Sequence, residues 1–339
     1  MMINFRNDYN DIAHEAILDL LLEVKDQSNI GYGEDVITDK AKQLLQSHFD
    51  HKIYTSFMVG GTITNKTVIS HLLKPYEAVI SASTGHIDVH ETGAIEQTGH
   101  KIITIDSVDG KINASDVKRT LEQFQDFHRV IPKMIYLSNA TETGLIYNKS
   151  ELIELYEVAK QNDLILFIDG ARLGVALTSK ESDLTLNEIS LYSDIFYIGG
   201  TKNGAMLGEA IITKHEAMHN NLTYSIKQNG GLLAKGFILG IQFQALFTNN
   251  LFFEIASKAN QNANLLVEGL KQLRIDFKPT PTNQQFLRLK KSIVDSLKKN
   301  YQFEIWADHD TEQTIRLVTT YRRNEAEIQS FLRDLSKLI

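Results

Sequence analysis

Apolar residues in this chain follow two kinds of pattern. Residues 164–168 and 194–198 are short runs in which nearly every side chain is apolar, which is typical of strands buried on both faces of a sheet. Residues 12–24 instead carry an apolar side chain at every fourth position, which predicts a helix with one buried face. The alternation of such strands and helices predicts an α/β fold.

The same patterns continue along the chain. Further strands are predicted at residues 53–59, 77–81, 102–105, 134–137 and 209–212. Further helices are predicted at residues 37–49, 62–73 and 152–162, with one that ends near residue 128 and one that begins at residue 230. The composition changes at about residue 251, where a long helix to 273 begins. Strands at 284–289, 302–306 and 314–319 and a helix at 325–338 then predict a smaller α/β domain at the C-terminus.

Composition narrows the functional classes. The 339 residues are 42% hydrophobic, enough for a large core, and the net charge of −7 without a dense basic block argues against nucleic acid as the main partner. There is no cysteine, and the eleven histidines lack metal-ligand spacing, so no metal site is expected. No apolar run approaches the roughly 20 residues that span a bilayer. A polar N-terminus without a signal-peptide core favours a cytoplasmic protein without a membrane partner.

Two side chains at strand ends suggest the chemistry. Asp169 directly follows the apolar run 164–168, and Lys202 follows the run 194–198 inside a glycine-rich turn. A lysine amine forms an imine with an aldehyde, and an aspartate keeps a pyridine nitrogen protonated, so the two together suit pyridoxal phosphate. Either residue alone would more often be an ordinary loop or turn residue.

The strings around these residues resemble a known family. Residues 169–173 (Asp-Gly-Ala-Arg-Leu) and 200–204 (Gly-Thr-Lys-Asn-Gly) are similar to those of the threonine aldolase and β-eliminating lyase family, within the aspartate aminotransferase superfamily. The resemblance implies a large domain with a mostly parallel seven-stranded sheet flanked by helices, and a smaller α/β C-terminal domain. It also implies an N-terminal segment, residues 1–12, that reaches the active site, with a large cofactor-binding domain at 13–248 and a small domain at 249–339.

The resemblance implies pyridoxal 5′-phosphate as cofactor, with Lys202, His86 and Asp169 as catalytic residues. Lys202 is the Schiff-base lysine, Asp169 faces the pyridine nitrogen and His86 stacks on the ring. Residues 60–62 (Gly-Gly-Thr) match the phosphate loop, in keeping with the affinity of helix N-termini for phosphate. The full set of expected cofactor-binding residues is Gly60, Gly61, Thr62, His86, Asp169, Arg172, Thr201, Lys202 and Lys235. Lys235 stands where the family often has an arginine that reaches a neighbouring subunit's phosphate.

A second set is expected to bind the substrate. It comprises Asn7, Tyr32, His90, Thr141, Arg172 and Arg316. Arg316 matches the family arginine that grips the substrate carboxylate, and Arg172 is either a second anchor or a contact to the ring hydroxyl. Tyr32 belongs to a Tyr-Gly-Glu-Asp signature near a subunit boundary, and Asn7 replaces a family serine.

Thr141 stands where many threonine aldolases carry a histidine that meets the substrate β-hydroxyl. Because a threonine cannot act as a base near neutral pH, proton removal falls to His86, His90 or a water.

The expected reaction is cleavage of L-threonine, L-allo-threonine or phenylserine to glycine and an aldehyde. Another pyridoxal phosphate reaction on a small amino acid, β-elimination or transamination, stays open because of Thr141 and Asn7. A non-catalytic binding protein on the same fold is a third interpretation, against which the complete set of Asp169, His86 and Lys202 argues. The family implies a homo-oligomer, a dimer or tetramer, with shared active sites.

Overall fold

A computed structural model describes residues 2–107 and 109–339. Within them the β-strands are β1 (Ile3–Asn4), β2 (Tyr54–Met58), β3 (Glu77–Ala82), β4 (Lys101–Ile105), β5 (Ile131–Ser138), β6 (Ile165–Asp169), β7 (Ile195–Gly199), β8 (Glu209–Thr213), β9 (Gln284–Lys290), β10 (Tyr301–Gln302), β11 (Glu304–Asp308) and β12 (Glu312–Val318).

The α-helices within these residues are α1 (Glu15–Val24), α2 (Val36–Gln46), α3 (Gly61–Leu72), α4 (His86–Val89), α5 (Ala114–Glu122), α6 (Lys149–Gln161), α7 (Leu173–Leu177), α8 (Leu186–Leu191), α9 (Glu216–His219), α10 (Leu222–Gln228), α11 (Phe237–Phe247), α12 (Leu251–Gln272), α13 (Lys291–Leu297) and α14 (Glu325–Ser336). In the part of the chain that is described, no helix is both long and apolar enough to cross a membrane.

The main sheet has seven strands in the order β2-β8-β7-β6-β5-β3-β4. The pairs among β3 to β7 are parallel, and β8 pairs antiparallel with both β7 and β2. Helices pack on both faces, so side chains along a strand alternate between two cores: Leu166 and Ile168 face one and Phe167 the other. The predicted fold class, including the seven-stranded sheet, is confirmed.

The C-terminal unit contains a three-stranded antiparallel sheet, β11-β12-β9, with α12 and α13 packed against it and α14 packed on these two helices. Its core also takes up the N-terminal segment. Strand β1 pairs in parallel with β10, and the buried Phe5 ring packs edge-on against Phe331 with 5.5 Å between centroids. The first residues of the chain are therefore held against its last hundred residues by strand pairing and ring packing. The boundaries 12/13 and 248/249 stay predictions.

Two predicted elements differ in detail. The strand expected at 302–306 is two strands, β10 and β11, separated at Phe303. The helix expected from residue 230 begins only at Phe237, because Gly230 has a positive φ of 81° and residues 231–236 form a loop that packs on Tyr32 and Gly33.

Candidate active site

The carboxyl ends of the parallel strands open into a cavity of about 480 Å³. This edge of an open α/β sheet is where loops from successive strands meet. Of the predicted cofactor residues, those lining the cavity are Gly60, Gly61, Thr62, His86, Asp169, Arg172, Thr201 and Lys202. The predicted substrate residues His90 and Arg316 line it as well.

Asp169 ends β6 and is buried at the floor of the cavity. Its Oδ1 accepts hydrogen bonds from the Tyr197 hydroxyl and the Ala171 N–H, and its Oδ2 accepts from the Tyr136 hydroxyl and from Asn65 at 3.1 Å. Burial would raise the pKa of Asp169, but the nearby His86 charge and these donors hold that pKa below its usual value. The carboxylate therefore stays ionised next to the space for a ring.

His86 is held in place by the buried carboxylate of Glu91. Its Nδ1 lies 2.8 Å from Glu91 Oε1, and the same oxygen accepts a hydrogen bond from Asn65 at 2.7 Å. Burial lowers the pKa of His86, but the Glu91 hydrogen bond and the Asp169 charge raise it more, so the net shift is upward. Since Asn65 also bonds to Asp169, one polar network orients both residues.

Lys202 lies in the turn between β7 and β8. Gly204 and Gly208 in this turn have φ values of 90° and 120°, which side-chain-bearing residues rarely adopt. Burial and then the positive charge of Arg172 lower the pKa of Lys202, against the pull of Asp8 and Asp169. A lower pKa makes the neutral, nucleophilic amine more available.

The opposite end of the cavity is formed by the start of α3. The helix begins at Gly61, and Gly60 has no side chain to satisfy the first N–H groups, which are free to bind an anion. A Cβ on Gly61 would lie 3.2 Å from the Tyr197 hydroxyl, so the backbone comes close to the floor of the site. Thr201, in the turn that carries Lys202, also lines the cavity.

Arg172 is held by a residue that the sequence analysis did not single out. Asp8 makes a two-point ion pair with it, at 2.8 and 3.0 Å, and also accepts from Asn283 at 3.1 Å. Burial would raise the pKa of Asp8, but the charges of Arg172 and Lys202 lower it overall. Tyr9, the next residue, lines the cavity. Asp8 directly follows Asn7, a predicted site residue, and that position was the available signal.

Arg316 enters the cavity from β12. It pairs with Glu304 and bonds to Gln284 at 3.3 Å, and its guanidinium lies over the Trp306 ring, 5.1 Å from the ring centroid. Glu304 and Trp306 both line the cavity and were not predicted. His90 lies near, with its ring centroid 5.4 Å from that of His86.

Two further buried acids in the cavity were missed. Glu142 accepts a hydrogen bond from Ser138 at 2.8 Å, and burial, followed by the charge of Asp169, raises its pKa. Glu209 begins β8, and burial raises its pKa to about 8. Nothing local in the sequence marks either acid as buried. No group of three or more histidine, aspartate or glutamate side chains placed for a metal ion occurs among residues 2–107 and 109–339.

Four predicted site residues lie outside the cavity of the single chain. Asn7 turns back to accept the Tyr9 N–H at 3.1 Å, and the buried Thr141 bonds to Thr143 and Leu145 within its own turn. Tyr32 lines a separate groove and is 49% exposed, and Lys235 is exposed nearby. The Tyr32 N–H donates to the carbonyl of Ala234 at 3.0 Å, so these last two predicted residues share one surface region.

The residues present fit pyridoxal phosphate. An amine with a lowered pKa, an ionised carboxylate and an uncapped helix N-terminus surround one space, which matches the aldehyde, ring nitrogen and phosphate of that cofactor. His86 would cover the ring face.

The sequence and the fold are similar to those of known proteins. A family model described as beta-eliminating lyase matches residues 14–292. A low specificity L-threonine aldolase of a Pseudomonas species is 30% identical over 281 residues, which cover 80% of this chain and 80% of that protein. A Leishmania major threonine aldolase structure superposes with a TM-score of 0.97 at 40% identity, covering 99% of both chains.

A more distant structure shares the fold alone. A double mutant of the Thermus thermophilus aspartate aminotransferase has a TM-score of 0.74 at 15% identity, covering 100% of this chain and 92% of that one.

Proposed function

Because this chain belongs to the beta-eliminating lyase family, we propose that it cleaves β-hydroxy-α-amino acids to glycine and an aldehyde. It is a pyridoxal-phosphate-dependent lyase of the threonine aldolase type. The proposed substrates are L-threonine, L-allo-threonine and phenylserine. The observation that carries the proposal is the meeting of Lys202, Asp169 and Arg316 in one cavity.

Pyridoxal phosphate, when bound, supplies a ring that withdraws electrons from the substrate bond being broken. Lys202 offers the amine that attaches it, and Asp169 keeps a positive charge on the ring nitrogen because its own pKa is held low. His86, fixed by Glu91, would cover the ring. The N-terminus of α3 and Thr201 would hold the phosphate group.

Arg316 is the proposed anchor for the substrate carboxylate. Both carboxylate oxygens of Asp8 already engage Arg172, which leaves Arg172 less able to hold a second carboxylate. Arg316 is paired with Glu304, whose side chain keeps about a third of its surface exposed, so a substrate carboxylate can replace it. The Trp306 ring under the guanidinium keeps Arg316 in place during that exchange.

His90 is the proposed base for the β-hydroxyl proton. Burial and the positive charges of His86 and Arg316 lower its pKa, so the ring is neutral at physiological pH. It lies on the Arg316 side of the cavity, where the substrate would be held. His86 is less suited because its Nδ1 is engaged by Glu91 and its pKa is raised.

Product analysis tests this function. The purified, cofactor-loaded protein should release glycine and acetaldehyde from L-threonine or L-allo-threonine, and glycine and benzaldehyde from phenylserine. A Lys202→Ala control should release none. Failure of all three substrates would contradict the proposal, and pyruvate with ammonia from serine would assign β-elimination instead.

We also propose a homo-oligomer in which a partner subunit completes the site. Tyr32 and Lys235 support this, because they lie together on the surface and away from the cavity of their own chain. The cytoplasmic location stays a prediction from the sequence.

A further inference from the structure

Glu209 occupies a particular place in the main sheet. It is the first residue of β8 and pairs with Met58 at the end of β2 and with Gly199 at the end of β7. The loop after β2 leads to the N-terminus of α3, and the loop after β7 carries Thr201 and Lys202. The carboxyl group therefore lies between the two loops that bind the cofactor phosphate, and it lines the cavity while only 3% exposed.

The ionisation state of Glu209 decides where the hydroxyl hydrogen of Thr201 points. Glu209 Oε2 accepts the Gly200 N–H at 3.0 Å. The Thr201 side chain is near enough to the same carboxyl group to lower the pKa of Glu209 as a hydrogen-bond donor. Thr201 Oγ1 also accepts the Gly208 N–H at 3.0 Å. A hydroxyl has one hydrogen, so when Glu209 is ionised that hydrogen points to the carboxylate and away from a phosphate.

An ionised carboxylate here would also repel a phosphate dianion, since two like charges close together disfavour each other's charged form. The free protein already favours the neutral form: burial raises the pKa of Glu209 to about 8, although Thr201, Lys202 and the Gly200 N–H oppose the shift. The other ionisable groups near it are Asp169, which adds to the rise, and Tyr197.

We propose that Glu209 has to be neutral when the cofactor phosphate binds, taking up a proton wherever it is ionised in the free protein, and that it then acts through Thr201 as a positioning residue. The neutral carboxyl group donates its O–H to Thr201 Oγ1, and the Thr201 hydroxyl turns its hydrogen to a phosphate oxygen. One solvent proton is consumed at each site where Glu209 was ionised, and no other bond changes. The proposal depends on the cofactor and not on which amino acid is cleaved.

Benzyl phosphate is a suitable probe for the cofactor-free full-length protein. It has an aromatic ring and a methylene phosphate ester, but no aldehyde to react with Lys202 and no ring nitrogen to titrate. Above pH 7 it is a dianion, so a change in affinity reports on the protein. Calorimetry should find its Kd about 30-fold weaker at pH 9.5 than at pH 7, the loss expected from one group with a pKa of about 8.

Two variants isolate the carboxyl group. Glu209→Gln cannot ionise and should keep its Kd within about threefold over the same pH range. Glu304→Gln removes a cavity acid on the Arg316 side and should keep the wild-type pH dependence. Lys202 is present in all three proteins, so its titration affects them alike. An equal pH dependence in Glu209→Gln and the wild type would overturn the proposal.

Proton uptake can be measured without any variant. Titrations of the wild type with benzyl phosphate at pH 8.5, in buffers of different ionisation enthalpy, should show uptake of about 0.8 proton per site. No uptake would overturn the proposal even if Glu209→Gln failed to fold. If Thr201 donates to the phosphate, Thr201→Val should weaken binding of benzyl phosphate at pH 7 as well. An unchanged affinity in that variant would show that Thr201 takes no part.

Discussion

At Asp169, four donors share the two oxygens of one carboxylate. Two are tyrosine hydroxyls from neighbouring strands, Tyr136 on β5 and Tyr197 on β7, and one is Asn65 on α3. The position of Asp169 at a strand end was predictable from the apolar run before it. These three side-chain donors were not, because they are 28 to 104 residues away in sequence and nothing local connects them to Asp169.

The burial of three glutamates could not be predicted from the sequence either. Glu91 and Glu142 stand in polar stretches and Glu209 at the start of the predicted strand 209–212, and only the folded chain shows that all three are enclosed. By contrast, Lys202 and Arg316 stand in family-like strings that could be read directly.

The role of His90 predicts a specific pH dependence. His90→Asn should lower kcat for L-threonine by about 10² to 10⁴, the usual contribution of a general base. The wild type should lose activity only below pH 6.5, because the pKa of His90 is lowered and the base must be neutral. That acid limb should move or vanish in His90→Asn. The exposed His128→Asn serves as control, and an unchanged profile in both would exclude His90 as the base.

Arg316 should affect substrate binding more than turnover. Arg316→Lys loses the two-point grip on a carboxylate, so KM for the amino acid should rise about 10- to 100-fold with a smaller fall in kcat. Steady-state kinetics measure both constants. Arg288→Lys is the matched control: Arg288 is on the adjacent strand β9, pairs with Glu312 and has a side chain that is 58% exposed. Similar KM values in the two variants would reject Arg316 as the anchor.

At the scale of elements, the long buried strands and helices were predictable because their periodicity is strong. Strand β1 was not, since two residues pair with β10 about 300 positions later and carry no periodic signal. The short helices α4 and α7, which follow the cavity loops, were missed for the same reason.

The N-terminal segment should contribute to stability through Phe5. This ring is fully buried between β10 and α14, so Phe5→Ala should lower the free energy of unfolding by about 3 to 5 kcal/mol. Urea denaturation of the loaded protein measures the change. Phe127→Ala, at a ring that is 90% exposed, should cost less than about 0.5 kcal/mol. Equal effects would mean that Phe5 is dispensable to the C-terminal core.

At the scale of the whole molecule, the cavity within one chain holds most, but not all, of the expected residues. Tyr32 and Lys235 lie in a region of their own, where the loop before α2 packs on the loop before α11. A local pattern can identify such residues as functional, but the subunit whose site they serve depends on the assembly.

Mixing inactive variants tests a shared site. If Tyr32 serves the partner's cavity, Lys202→Ala and Tyr32→Ala subunits reassembled in equal amounts should regain about a quarter of the wild-type activity, from sites that received both intact residues. Lys202→Ala mixed with Asp169→Ala is the control. Both of those residues line one chain's cavity, so that mixture should stay inactive. No recovery with Tyr32→Ala would contradict a role across the interface.

The pairing of β1 with β10 has a consequence for biosynthesis. Asp8, which pairs with Arg172, lies three residues after Phe5, whose backbone is held by the Gln302 carbonyl and the Val318 N–H. Translation has to pass residue 318 before those two backbone contacts can form. We therefore expect the N-terminal segment to take its final position late in synthesis, after every strand of the seven-stranded sheet has been made.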